Sequence, residues 1–138
     1  ADPANWRVAK SVFVADDAAK AKAYATDPDG PYVNYYRSLF TKLKKNGRIE
    51  LFKTHRDQPD DEVTLEMICD KLIIYGTPDS VADQILAFQN EVGTFGTLLY
   101  AGKDWKDREL GRKSMILTAE KVLPLVNAGS PKLAKAAE

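Results

Sequence analysis

One stretch constrains this chain more than any other: Leu72 to Trp105, LIIYGTPDSVADQILAFQNEVGTFGTLLYAGKDW. Leu72 to Tyr75 is a short apolar run closed by Gly76, which predicts a strand. Thr77 is placed to cap a helix, Pro78 falls at its first position where a missing N–H costs nothing, and Asp79 suits its positive end. Val81, Ile85, Phe88 and Val92 recur at helical spacing and predict a stripe facing a core. Gly93 stops that helix, and Phe95 to Tyr100 predicts a second strand. Consecutive apolar residues at Leu98, Leu99 and Tyr100 suit a strand covered on both faces, as in parallel sheets. The distance from Tyr75 to Phe95 fits a right-handed strand–helix–strand crossover.

The flanks repeat the alternation. Trp6, Val8, Val12 and Val14 share one parity and Phe13 takes the other, which predicts a strand buried on both faces at its end. Asp16 and Asp17 open an Ala-rich helix that the breaker Asp27-Pro-Asp-Gly-Pro31 ends. Tyr32, Tyr36, Leu39, Phe40 and Leu43 predict an amphipathic helix with lysines at its C-terminal end and Gly47 as its stop. Thr54 to Asp61 reads as loop, and Val63 to Lys71 as one or two helical turns. Residues 27–61 look like an insertion between a β/α unit at 6–26 and further β/α units at 62–126, with a tail at 127–138. After Gly102, Asp104 is placed to cap a helix from about Trp105 to Leu123, with Leu110, Met115, Ala119 and Val122 inward and Pro124 ending or bending it.

Composition removes several functions. Lys plus Arg and Asp plus Glu both number 20, so there is no net pull toward nucleic acid or anionic membrane. No apolar run approaches the ~20 residues of a membrane span, and no secretory segment is visible, which makes the cytoplasm the expected compartment. One His and one Cys exclude a Cys/His zinc site. His55 reads as a solvated loop residue, Cys69 as a small buried hydrophobe and Ser114 as a plain helix position. No catalytic constellation is legible.

Several words are more specific in combination than alone: Tyr75-Gly-Thr-Pro-Asp-Ser-Val81, Phe95-Gly-Thr-Leu-Leu-Tyr-Ala-Gly102, Asp104-Trp105, Arg112-Lys-Ser-Met115, and Val122-Leu-Pro124. With Trp6-Arg-Val-Ala and Phe13-Val-Ala-Asp16, their order resembles the C-terminal part of the bacterial luciferase-like flavin-dependent monooxygenases, in the limonene- and alkanal-monooxygenase-like branch. The resemblance runs from Trp6 to Val126 and is weak across 27–61. It implies a (β/α)8 TIM-type barrel carrying an insertion. Such a barrel needs ~250 residues, so 138 residues imply a helix-rich α/β C-terminal fragment of one.

The resemblance also implies FMN as cofactor, a small apolar organic substrate and a flavin reductase partner. Barrel sites lie at strand C-termini, which here are Val14 to Asp16, Tyr75 to Thr77 and Tyr100 to Asp104. Gly76 and Thr77 are the candidate cofactor contacts, since a helix N-terminus offers free N–H groups. Simple capping competes, with Thr77 and Asp79 satisfying those groups themselves and Asp79 repelling a phosphate. Tyr100, Gly102, Lys103, Asp104 and Trp105 are the candidate substrate-pocket edge, against a strand end, a cap at Asp104 and a packed Trp105. The family often carries His before Asp-Trp; Lys103 stands there instead, so a His role has no residue to fall on. An isolated fragment leaves strand edges and apolar faces bare, which implies self-association or the missing N-terminal barrel portion as partner. The rival reading is a non-catalytic α/β module that self-associates.

Overall fold

The computed structural model describes residues 2–103 and 105–130. Strand β1 (Arg7–Val14) leads through the Asp17 cap, whose carboxylate accepts from the Lys20 N–H at 2.8 Å, into α1 (Ala18–Ala25). The Asp27–Gly30 breaker turns the chain into α2 (Pro31–Lys45). Two 3-10 turns follow, Ile49–Phe52 and Asp60–Glu62, then α3 (Leu65–Leu72), which runs into β2 (Ile73–Gly76) without a loop. Helix α4 (Pro78–Val92) precedes β3 (Thr97–Ala101), and α5 (Arg108–Leu117) passes through one π turn (Thr118–Val122) into α6 (Leu123–Gly129). Among the described residues, no helix is long and apolar enough to cross a membrane.

The three strands form one parallel sheet in the order β2-β1-β3. Strands β2 and β3 thus run parallel in one sheet on either side of β1, with α4 as the crossover between them. The long β1 offers its two edges at different heights: Ser11–Val14 pair with Ile73–Gly76, and Arg7–Ser11 pair with Thr97–Ala101. Four-residue β2 has little ladder to offer a second partner, so β3 takes the free edge of β1.

Strand alternation divides the core between the two faces of the sheet. Phe13 and Ile73 pack with Ala21, Ala25, Tyr32, Tyr36 and Ile68 from α1, α2 and α3. Val12, Val14 and Ile74 pack with Val81, Ala82, Ile85 and Val122 from α4 and the π turn. Tyr32 is fully buried and donates to the Val12 carbonyl at 2.6 Å. Its burial pushes its hydroxyl pKa far above the ordinary value of 10.0, and burial likewise raises Tyr36. A raised folded-state tyrosine pKa contributes stability that is fully present below the unfolded value and lost as pH climbs past it. Stability should therefore fall as pH rises above about 10. Absorbance at 295 nm should show two tyrosines that ionise only with unfolding; their titration in the folded chain would refute this.

Two helices bury the expected face only in part: Val81, Ile85 and Val122 are inward as expected, and other positions differ. In α4 the buried row is Val81, Ala82, Ile85 and Gln89, while Val92 is 49% exposed. The row advances by four residues each turn, and it carries a glutamine into the core. In α5 the buried residues are Gly111 and Ser114, while Met115 is 50% exposed; Ala119, in the π turn, is also exposed. Small residues face inward because α5 lies close against β1. Asp107, not Asp104, caps this helix, accepting from the Leu110 N–H at 3.0 Å; Asp104 lies outside the described residues. Pro124 does not end the helix. It has no N–H for the Glu120 carbonyl, and the turn ahead of it widens so that the Leu123 N–H reaches the Thr118 carbonyl.

Candidate functional site

The strand C-termini gather the predicted residues into three places rather than one. At the end of β2, Gly76 pairs with Val14 and adopts φ 150°. A Cβ there would sit 2.9 Å from Ser80 Oγ, so only glycine passes without a shift. Thr77 occupies the cap position of α4, yet its hydroxyl accepts no helix N–H. The expected capping by Thr77 is thus absent, and Asp79 in the first turn of α4 is exposed. Gln84 Nε2 instead holds the Tyr75 carbonyl at 2.8 Å and Ser80 Oγ at 3.1 Å, bracing the turn.

The run from Tyr100 to Trp105 does not line one pocket. Neighbouring strand residues point to opposite faces. Tyr100 turns toward α5, where its hydroxyl meets Ser114 Oγ at 2.9 Å. Ser114 Oγ also accepts the Val14 N–H at 2.8 Å, standing in for a strand partner where β3 has ended. Lys103 turns the other way, its ammonium 3.7 Å from the Tyr35 ring centre. It borders a groove of about 360 Å³ with Lys10, Ser11, Tyr36 and Phe88. Lys10 lies 4.2 Å over the Phe88 ring, and Ser11 Oγ meets Tyr36 OH at 2.7 Å. Burial lowers the pKa of both lysines, with Glu91 partly opposing the effect at Lys10. The groove can therefore take an anion or an electron-rich group between two partly desolvated cations.

Gly102 is exposed, and Trp105 packs on α5. A Cβ at Gly111 would fall 2.1 Å from Trp105 Cδ2. Gly111→Ala should therefore destabilise by about 1–3 kcal/mol through overpacking, although Ala is worth ~1 kcal/mol more than Gly in an ordinary helix. Urea unfolding with near-ultraviolet dichroism of the indole checks this, and a more stable variant would refute the contact.

Other candidates are plain. His55 is exposed in its loop, and Cys69 is half-buried with its thiol pKa raised by burial, which suits an inert side chain. At the end of β1, a hydrogen bond from Lys113 holds the Asp16 carboxyl below the usual carboxylate range. Among the described residues, no three His, Cys, Asp or Glu side chains converge as a metal site. Sequence reasoning missed Lys10 and Ser11, and its reading of Ser114 as a plain helix position overlooked the Val14 N–H and the Tyr100 hydroxyl that it meets. The alternation of Lys10 against Val12 and Val14 was the one available signal, since it places a lysine inside the most apolar strand.

Two known proteins to which the chain is similar are monooxygenases. The chain is 34% identical over 126 residues to 4-hydroxyprotoasukamycin monooxygenase of Streptomyces nodosus subsp. asukaensis, which covers 91% of this chain and 32% of that protein. It superposes with a TM-score of 0.74 and 25% identity on the oxygenating constituent of 3,6-diketocamphane monooxygenase from Pseudomonas putida, a type II Baeyer-Villiger monooxygenase in complex with FMN. That match covers 91% of this chain and 35% of the other. No family model matches. The chain spans about a third of the length of each relative.

The residues present do not fit a whole flavin. The open N-terminus of α4 suits a phosphate, but Asp79 stands beside it. The neighbouring cavity of about 530 Å³, which Tyr75 borders with Lys22, Arg37 and Glu66, includes neither Gly76 nor Thr77. The FMN is that of the similar structure, and the described side chains of this chain do not form a site for it.

Proposed function

We propose that this chain is the C-terminal third of a luciferase-like, FMN-dependent monooxygenase: the closing β/α units of a (β/α)8 barrel, with residues 27–61 as the insertion before them. The observation that carries this reading is similarity along 91% of the chain to only a third of two monooxygenases. The joined protein would oxidise a small apolar organic molecule in the cytoplasm, with reduced FMN supplied by a reductase and providing the oxygen chemistry. This chain's share would be an anion contact at Gly76 and Thr77 and a substrate-side wall around Lys103. In a whole barrel β3 would stand beside β2, whereas in this structure β1 stands between them.

The isolated chain should bind FMN weakly or not at all, leaving flavin fluorescence unquenched. Mixing it with the complementary N-terminal portion should restore quenching and co-elution. Tight FMN binding by the chain alone would overturn this division of the site. A second reading, a self-associating α/β module, draws support from edge strand β3, where Leu99 is 48% exposed, and from exposed Ile116, Leu123 and Leu125 on the α5–α6 run. Light scattering decides between these: a stable dimer that ignores the N-terminal portion favours the module.

A further inference from the structure

The sheet face opposite Lys103 holds a cavity of about 280 Å³ between α4, the π turn, α6 and the start of β3. Its walls are apolar: Ile85, Phe95, Leu98, Val122 and Val126 among them. It lies by the N-terminal end of β3, away from the strand C-termini discussed above.

Its polar groups are mostly committed. Thr118 Oγ1 donates to the Ser114 carbonyl at 2.6 Å, Ser130 Oγ to the Val126 carbonyl at 2.7 Å, and Tyr100 OH meets Ser114 Oγ at 2.9 Å. Gln89 is the buried exception; Thr97 and Asn127, which also line the cavity, are exposed. Gln89 is 7% exposed, it lines the cavity, and no group among the described residues hydrogen-bonds its buried Oε1. A buried acceptor without a partner costs about 1–3 kcal/mol, and an apolar side chain at that helix position would avoid the cost.

We propose that this cavity is a binding site for a small, one- or two-ring apolar molecule carrying a single hydrogen-bond donor, which Gln89 Oε1 receives. The volume is about twice the ~150 Å³ of a dry cavity that takes benzene, and a largely apolar wall with a small number of polar groups is the usual design of a small-molecule site; Gln89 is the one of them that is buried with an acceptor left over. The π turn adds nothing by itself, because Pro124 accounts for it.

Phenol and toluene test the site, since they share a ring and size and differ in the donor. Each is titrated into the 138-residue chain and into Gln89→Leu, followed by amide and methyl NMR. In the wild-type chain both should shift Ile85, Leu98, Val122 and Val126. Gln89→Leu should remain folded and still take toluene, while the phenol-to-toluene affinity ratio falls about fivefold, the worth of one neutral hydrogen bond. Val126→Phe should exclude both. An unchanged ratio in Gln89→Leu, or shifts elsewhere only, would overturn the proposal. So would binding that appears only after residues 131–138 are deleted, which would assign the cavity to the chain's own terminus. No flavin enters these measurements, so their failure is separate from failure of the monooxygenase reading.

Discussion

Phe13→Ala should lower stability by about 3–5 kcal/mol, the cost of removing a fully buried aromatic side chain. Phe13 is 0% exposed at the middle of the sheet. Its ring stacks on Tyr24 at 4.4 Å and meets Tyr32 edge-on at 5.9 Å. Neither tyrosine can follow it into the gap, because Tyr32 is tied to the Val12 carbonyl and the Tyr24 hydroxyl accepts the Lys106 N–H at 3.2 Å. The cavity would stay open, and loss of contact adds to the loss of burial. Urea unfolding should show a lower midpoint at unchanged slope. Leu123→Ala is the control: Leu123 is half exposed, so the change should stay within ~0.5 kcal/mol. A Phe13→Ala loss below about 1 kcal/mol would contradict the burial described.

Ser114→Ala gives a test of sign. As a plain helix position, Ser114 would gain up to ~0.7 kcal/mol on becoming Ala. In the structure it is 0% exposed and holds two groups, the Val14 N–H and the Tyr100 hydroxyl. Removing its oxygen leaves the buried Val14 N–H without an acceptor, which costs about 1–3 kcal/mol. Net destabilisation is expected. A double-mutant cycle with Tyr100→Phe should reveal coupling between the two hydroxyls. A stabilised Ser114→Ala chain would show that the β1 edge needs no such partner.

Much of the candidate site was hidden for one geometric reason. A contiguous run such as Tyr100 to Trp105 looks like a single edge on paper, but Tyr100 in β3 turns to the α5 side, and Lys103, two residues past the end of the strand, lies against Tyr35 of α2. Lys103 then finds Tyr35, 68 positions earlier, and Lys10 finds Phe88, 78 positions later. The capping of α4 failed differently. Thr77 is the right residue type at the right place, yet cap chemistry requires a rotamer, and residue type does not choose one.

The sequence by itself determined the local elements: β1, the Asp17 cap, the Asp27–Gly30 breaker, α2, and the turn from Gly76 into α4 closed by Gly93. Each depends on residues within one or two helical turns, so its signal is local. Only the tertiary structure decided that β1 stands between β2 and β3, that Gln89 enters the core, and that Ser114 completes the edge of β1 from 100 residues away. Strand order follows from competition between ladders, and side-chain partners follow from which faces then meet. Neither quantity is carried by any short stretch of the chain.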